Sequence, residues 1–187
     1  GTSRLTQEST GNPLLDAVIA TQAPFGQALD VRTQIKFPDQ LGFGMKFVVT
    51  PNVLVETDVE RMGWSSFKQL NVHFTGGQLP DLSFTEKWKD VYSYRVGVKW
   101  DTSATGEWRF GYVYDKTPQP TLSMGPLLPG ADRTGYSIGY GIKGTSLNTD
   151  LAVMYLPFKK RTTMDNIDHF YGTYQTTAWL FGATFSW

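Results

Sequence analysis

Along most of this 187-residue chain, large apolar residues take turns with small or charged ones. Such alternation puts successive side chains on opposite faces of a β-strand. Over 91–100, Tyr92, Tyr94, Val96, Val98 and Trp100 share a face, against Ser93, Arg95, Gly97 and Lys99. Over 107–115, Trp108, Phe110, Tyr112 and Tyr114 oppose Arg109, Gly111, Val113 and Asp115. Over 133–143, Tyr136, Ile138, Tyr140 and Ile142 oppose Gly135, Ser137, Gly139, Gly141 and Lys143. Over 147–156, Leu147, Leu151, Val153 and Tyr155 oppose Asn148, Asp150, Ala152 and Met154. The chain closes on the same rhythm, with Trp179, Phe181, Ala183, Phe185 and Trp187 on one side.

Two upstream segments are longer. Residues 27–49 alternate through Leu29, Val31, Thr33, Ile35 and Phe37, then resume after Pro38 with Leu41, Phe43, Met45, Phe47 and Val49. Residues 52–74 alternate through Val53, Val55, Thr57 and Val59, then resume after Gly63 with Leu70, Val72 and Phe74. Each is expected to be one strand, kinked at Pro38 or bulged near Gly63; two short hairpins are the alternative. Short turns at 50–52, 101–106 and 144–146 alternate with long connectors at 10–26, 75–88, 116–132 and 158–173. Counted back from the C-terminus, this gives eight strands, residues 1–9 being the first. Residues 13–21 are expected to form a short helix in the first long connector.

The pattern predicts an all-β, antiparallel transmembrane β-barrel of about eight long strands, residues 1–187 forming one domain in a bacterial outer membrane. In a soluble barrel the aromatic face would turn inward and the outer face would be more regularly charged. A Gly, Ser, Arg and Lys mixture fits a lumen. An apolar aromatic strand at a chain end is out of place in water, whereas a barrel needs its last strand to pair and to face lipid. No run of 18 apolar residues makes a transmembrane helix. Aromatics at 14% and 19 glycines suit interfacial girdles and a crowded wall. With 17 basic and 17 acidic residues the net charge is zero, so nothing points to nucleic acid. The absence of cysteine excludes disulfides and thiolate chemistry. The start at Gly1, without an initiator Met, is expected of a mature or truncated chain.

Four stretches carry a family resemblance. They are Asp58-Val-Glu-Arg-Met-Gly-Trp64-Ser65-Ser-Phe67; Trp88-Lys-Asp90 with Tyr94-Arg-Val-Gly97; Pro118, Pro120, Pro126, Pro129, Asp132 and Arg133 in order; and the aromatic C-terminus. Together they resemble the outer-membrane long-chain fatty acid and hydrocarbon transporters of the FadL type, most specifically over 50–187. The resemblance implies a fourteen-stranded barrel with an N-terminal hatch, of which this chain would supply the last eight strands and not the hatch. It also implies hydrophobic partners, fatty acids or hydrocarbons, crossing by passive diffusion.

Candidate chemistry is sparse. Glu56, Asp58 and Glu60 share a strand face. They read as lumen charges balanced by Arg32, Lys36, Arg95 or Lys99, since uncompensated charge in a low dielectric is costly. His73 and His169 lie far apart, and no nucleophile motif, phosphate loop or metal-ligand spacing accompanies them. An enzyme is therefore not expected, and no cofactor or metal is implied. Leu122, Met124, Leu127 and Leu128 are apolar within a long connector, as in a greasy capture site or a loop packed on the rim. Arg133 suits a carboxylate, or else locks the loop through Asp132 or a backbone carbonyl. Lys159-Lys160-Arg161 suits carboxylates or lipopolysaccharide phosphates, or is an ordinary solvated loop. The expected ligand contacts are thus Leu122, Met124, Leu127, Leu128, Arg133 and Lys160. Two rival readings remain: a small structural or adhesin-type barrel without transport, and a soluble lipocalin-like carrier.

Overall fold

The computed structural model describes residues 2–4, 6–21, 28–75, 79–126, 129–167 and 169–187. In chain order its elements are β1 (Thr2–Arg4), α1 (Pro13–Ala20), β2 (Ala28–Thr33), β3 (Gln40–Thr50), β4 (Val53–Met62), β5 (Gln69–Phe74), β6 (Leu82–Thr85) and β7 (Val91–Asp101). Then follow β8 (Gly106–Asp115), β9 (Arg133–Lys143), β10 (Asn148–Pro157), β11 (Arg161–Thr163), β12 (Gly172–Tyr174) and β13 (Thr177–Ser186). They fall into two compact units, residues 1–37 with 67–86, and residues 38–66 with 87–187.

The first unit holds a four-stranded sheet ordered β1-β2-β5-β6. Thr2 pairs with Asp30, Arg32 with His73 and Leu70 with Phe84. Asp30, Arg32 and His73 therefore share one face, opposite Val31, Val72 and Phe74. The expected helix is present as α1. Asn12 caps it, its side-chain oxygen accepting from the N–H groups of Leu14 and Leu15, and Pro13 opens its first turn.

The second unit is a seven-stranded antiparallel meander ordered β13-β10-β9-β8-β7-β4-β3. Its register sorts most side chains onto two contrasting faces. One cross-strand row runs Val55, Val98, Phe110, Ile138, Val153 and Phe181. One residue away, on the other face, runs Leu54, Lys99, Arg109, Gly139, Ala152 and Gly182. The apolar row is flanked towards the long loops by Tyr112, Tyr136, Tyr155 and Trp179, and towards the short turns by Trp100, Trp108 and Tyr140. Neighbouring rings in these belts touch: Trp108 lies 4.7 Å from Tyr140, and Tyr155 lies 4.8 Å from Trp179, between centroids. Tyr92 and Trp100 are eight residues apart on β7, about 27 Å along the strand. At a tilt of ~40° that covers about 20 Å of membrane, close to the ~25 Å apolar band of outer-membrane barrels.

Two expectations about the long strands are corrected. Residues 34–39 separate β2 from β3, and 63–68 separate β4 from β5, so neither segment is a single kinked strand. Pro38 has no N–H for a ladder. The backbone N–H of Gly63 donates to Asp39 O at 2.8 Å, and a Cβ on Gly63 would run into the Asp39 carboxylate. From there the chain turns through a 3-10 segment at Trp64–Ser66. Within 75–88 and 158–173, taken as connectors, the short strands β6, β11 and β12 form.

Among the described residues, the only buried apolar side chains are Phe67, Val91 and Met124. By contrast Phe43, Trp179 and Phe181 are 63%, 59% and 80% exposed. The seven-stranded sheet thus buries no core on its apolar face, which a water-soluble fold could not sustain. Its outer strands, β3 and β13, are not paired with each other, so the sheet is open.

Candidate functional site

The charged face of the sheet carries the site. In the seven strands every basic residue is engaged. Lys46 meets Glu56 at 3.8 Å, Arg95 meets Glu60 at 2.9 Å, and Arg133 Nε meets Asp115 at 2.9 Å. Near the short turns, Glu107 is a hub for Lys99 at 3.3 Å, Lys143 at 2.9 Å and Arg109. Arg109 also reaches Asp150 at 2.7 Å. Glu107 is almost completely buried among these cations. Arg61, the one basic residue in the apolar rows, lies at the end of β4 and pairs with Asp39 and Asp90. Such matching keeps each charge solvated by its partner where water is scarce.

Two members of the acidic trio are balanced, but of the expected partners only Arg95 takes part, Glu56 being met by Lys46. Glu56 and Glu60 are paired as above, by Lys46 and Arg95. Asp58 stands opposite Arg95 in the register, without an ion pair among the described residues. Arg32 and Lys36 belong to the other unit.

An open depression of about 530 Å³ lies on this face. Its floor is made by Gly97 and Gly111, which follow Glu56 along one cross-strand row. Arg95 lies opposite Val113 and Arg133 opposite Asp115 in the register, and Val113, Met154, Leu156 and Leu180 supply an apolar wall. Glu56, Asp58 and Asp115 also line it, so its two guanidinium groups are matched by carboxylates, and the apolar wall is the part that suits a hydrophobic ligand.

The long loops after β8 and β10 are joined. Asn166 Nδ2 donates to Met124 O at 2.8 Å and to Phe170 O at 2.9 Å, and Ile167 N–H donates to Leu122 O at 2.9 Å. Arg161 donates to Gly130 O and, at 3.1 Å, to Thr121 Oγ1. Partial burial lowers the Arg161 pKa from its usual value, with the nearby Asp132 charge opposing the shift. Gln119, also buried, holds Ser123 O at 3.0 Å and the Gly130 N–H at 2.7 Å.

This places the sequence-derived residues as follows. Leu122 is 40% exposed at the surface of the joined loops. Met124 is fully buried beneath them and packs the cap from within. Leu127 and Leu128 lie outside the described residues. Arg133 is locked to Asp115, not to Asp132 or a carbonyl, and its guanidinium stands 5.9 Å from the centre of the Phe158 ring. Lys160 is exposed. The sequence did not single out Arg95, Met154, Leu156 or Leu180 as a site; only the register brings them together.

The family model for outer membrane protein transport proteins (OMPP1/FadL/TodX) matches residues 1–187. The chain belongs to this family. Its members are outer-membrane transporters of hydrophobic compounds. The long-chain fatty acid transport protein of Escherichia coli K12 is 26% identical over 143 residues, 74% of this chain and 31% of the relative. The Salmonella typhi protein of the same name is 25% identical over the same length. The chain thus spans about a third of the curated relatives that it matches. Among solved structures, a Pseudomonas aeruginosa FadL homologue superposes with a TM-score of 0.69 at 19% identity, covering 84% of this chain and 36% of that one. The toluene transporter TodX of Pseudomonas putida gives 0.65 at 17% identity, over the same shares. These likenesses establish the FadL-type barrel fold for the open sheet described above.

Proposed function

We propose that this chain is wall and cap of an outer-membrane conduit through which hydrophobic molecules, long-chain fatty acids among them, diffuse passively. Residues 1–187 form one barrel domain with strands and a hatch contributed by further chain, its apolar face meeting lipid and its charged face lining the lumen. The observation that carries this is the depression on the charged face, where Arg95 and Arg133 adjoin Val113, Met154, Leu156 and Leu180. An alkyl chain would rest against the apolar wall, the guanidinium groups there being held by Glu60 and Asp115. Each buried methylene contributes ~0.8 kcal/mol, so chain length governs retention more than charge does. Substrate first meets the long loops, with Leu122, Met124, Leu127 and Leu128 as the proposed apolar contacts. Arg133 or Lys160 meets the headgroup there. No bond is made or broken, so no catalytic role is assigned to any residue. Lipid and lipopolysaccharide of the outer leaflet surround the wall.

Gly97 allows a direct test. A Cβ added there has only Phe110 O within reach, at 4.0 Å, so the backbone leaves room for a side chain to start into the depression. Gly97→Phe should fill the depression and reduce uptake of a labelled long-chain fatty acid by intact cells, with the protein still folded in the membrane. Dissipating the proton motive force should not stop arrival of substrate in the periplasm. Undiminished uptake by folded Gly97→Phe would remove the depression from the pathway. Arrival that requires the proton motive force would refute passive diffusion.

A further inference from the structure

A second depression, of about 410 Å³, lies on the opposite, apolar face at the loop end of β8, β9 and β10. Tyr114 and Tyr136 come from the aromatic belt, Pro157 and Phe158 close the side, and Asp132 and Lys159 stand at the rim. Its position is that of the headgroup layer, one to two residues beyond the Tyr112–Tyr136–Tyr155 row. The charge pattern sets it apart from the wall. Every basic side chain of the seven strands is ion-paired, whereas Lys159 and Lys160 form no ion pair among the described residues. The Asp132 carboxylate, the anion at the rim, already accepts the Thr117 N–H at 2.9 Å and lies within the electrostatic reach of Arg161. Arg161 is turned into the loops by its bonds to Gly130 and Thr121, so it does not contribute to the rim.

We propose that this depression seats the phosphorylated headgroup of an outer-leaflet lipid, Lys159 holding the phosphate and Tyr114 and Tyr136 bracketing the sugar or glycerol. This rests on the outward-facing reading of the aromatic face and names one lipid contact on it. An uncommitted ammonium beside tyrosines, continuous with a lipid-facing belt, offers what such a headgroup needs: one charge, polar ring edges and an apolar floor. Lys160 adds long-range attraction without lining the seat.

Native mass spectrometry of the protein in detergent micelles tests it, with bis-phosphorylated lipid A as the probe and its dephosphorylated form as the control. Wild-type protein should retain the phosphorylated lipid preferentially. Lys159→Ala should weaken retention about fivefold, Lys159→Arg should preserve it, and Lys46→Ala on the charged face should leave it unchanged. Equal retention by Lys159→Ala, or of both lipid forms, would overturn the seat. So would displacement by millimolar inorganic phosphate, which would make it a site for the free anion. Quenching of tryptophan fluorescence by brominated acyl chains separates the two levels. Quenching that falls in Trp179→Phe, together with indifference to phosphate, would sink the seat alone. Tryptophans untouched by the bromines would sink the outward-facing reading beneath it.

Discussion

Asn166 Nδ2 reaches Met124 O at 2.8 Å, and the Asn166 carboxamide oxygen in turn accepts the Phe170 N–H at 2.9 Å. One amide thus ties the last long loop to the Pro-rich loop over a wholly buried methionine. Asn166→Ala removes both donors and the acceptor and leaves carbonyls without partners, a cost of about 1–3 kcal/mol. The loss should be local. Limited proteolysis is expected to cut within 117–171 faster, while the heat-modifiable gel shift of the folded barrel is retained. Unchanged cleavage would show that the loops hold together without it.

Phe181 and Gly182 adjoin in sequence and stand on opposite faces, one in the central apolar row and the other in the row of Arg109. Phe181→Arg should cost ~2–4 kcal/mol near the bilayer centre. Gly182→Arg should cost far less, because a Cβ there meets nothing within 4 Å. Gly139 is the poorer control, since its Cβ would lie 3.0 Å from Leu151 O. Urea titrations in lipid vesicles make the comparison. Equal losses would contradict the assignment of faces.

Glu107 answers three cations from a nearly sealed position. Glu107→Gln leaves Lys99, Arg109 and Lys143 crowded with less countercharge. Breaking a buried pair costs about 3–5 kcal/mol. The lower end applies here, because the cations are a third to a half exposed. Lys143→Met in the Glu107→Gln background should recover part of the loss. No recovery would mean that the hub acts by packing alone.

Asp90 lies just before β7 and accepts the Ser65 backbone N–H at 2.8 Å, which, with the Arg61 pair, lowers its carboxyl pKa from the usual value. A depressed carboxylate stabilises the fold above its unfolded pKa, about 3.9. That contribution fades as pH falls through the lower, folded value. Stability of wild type relative to Asp90→Asn should therefore be flat from pH 5 to 8 and converge below about pH 4. A difference that vanishes near neutral pH would point to another group.

The strands β7, β8, β9, β10 and β13 were legible because each keeps period two for about ten residues, and their pairing follows from adjacency. The breaks at 34–39 and 63–68 were less so: Pro38 and Gly63 announced a disturbance, but the Asp39–Gly63 contact that shapes it is tertiary. Strands β6, β11 and β12 are three or four residues long, too short to show a period. In the site, Leu122 and Met124 looked alike in sequence, and only the fold buries one and exposes the other. Arg133 has an acidic neighbour at 132, yet pairs across the ladder with Asp115, a partner that register alone selects. Asn166 sits in no pattern at all.

The sorting of side chains also edits how the sheet can assemble. Were β8 to pair one residue out of step, Glu107, Arg109 and Asp115 would turn into hydrocarbon and Trp108, Phe110 and Tyr112 into the lumen. Arg109 alone would then carry a penalty of ~2–4 kcal/mol. Off-by-one pairings are thus expelled to the membrane surface before they can insert, and the bilayer acts as a proofreader of this sequence.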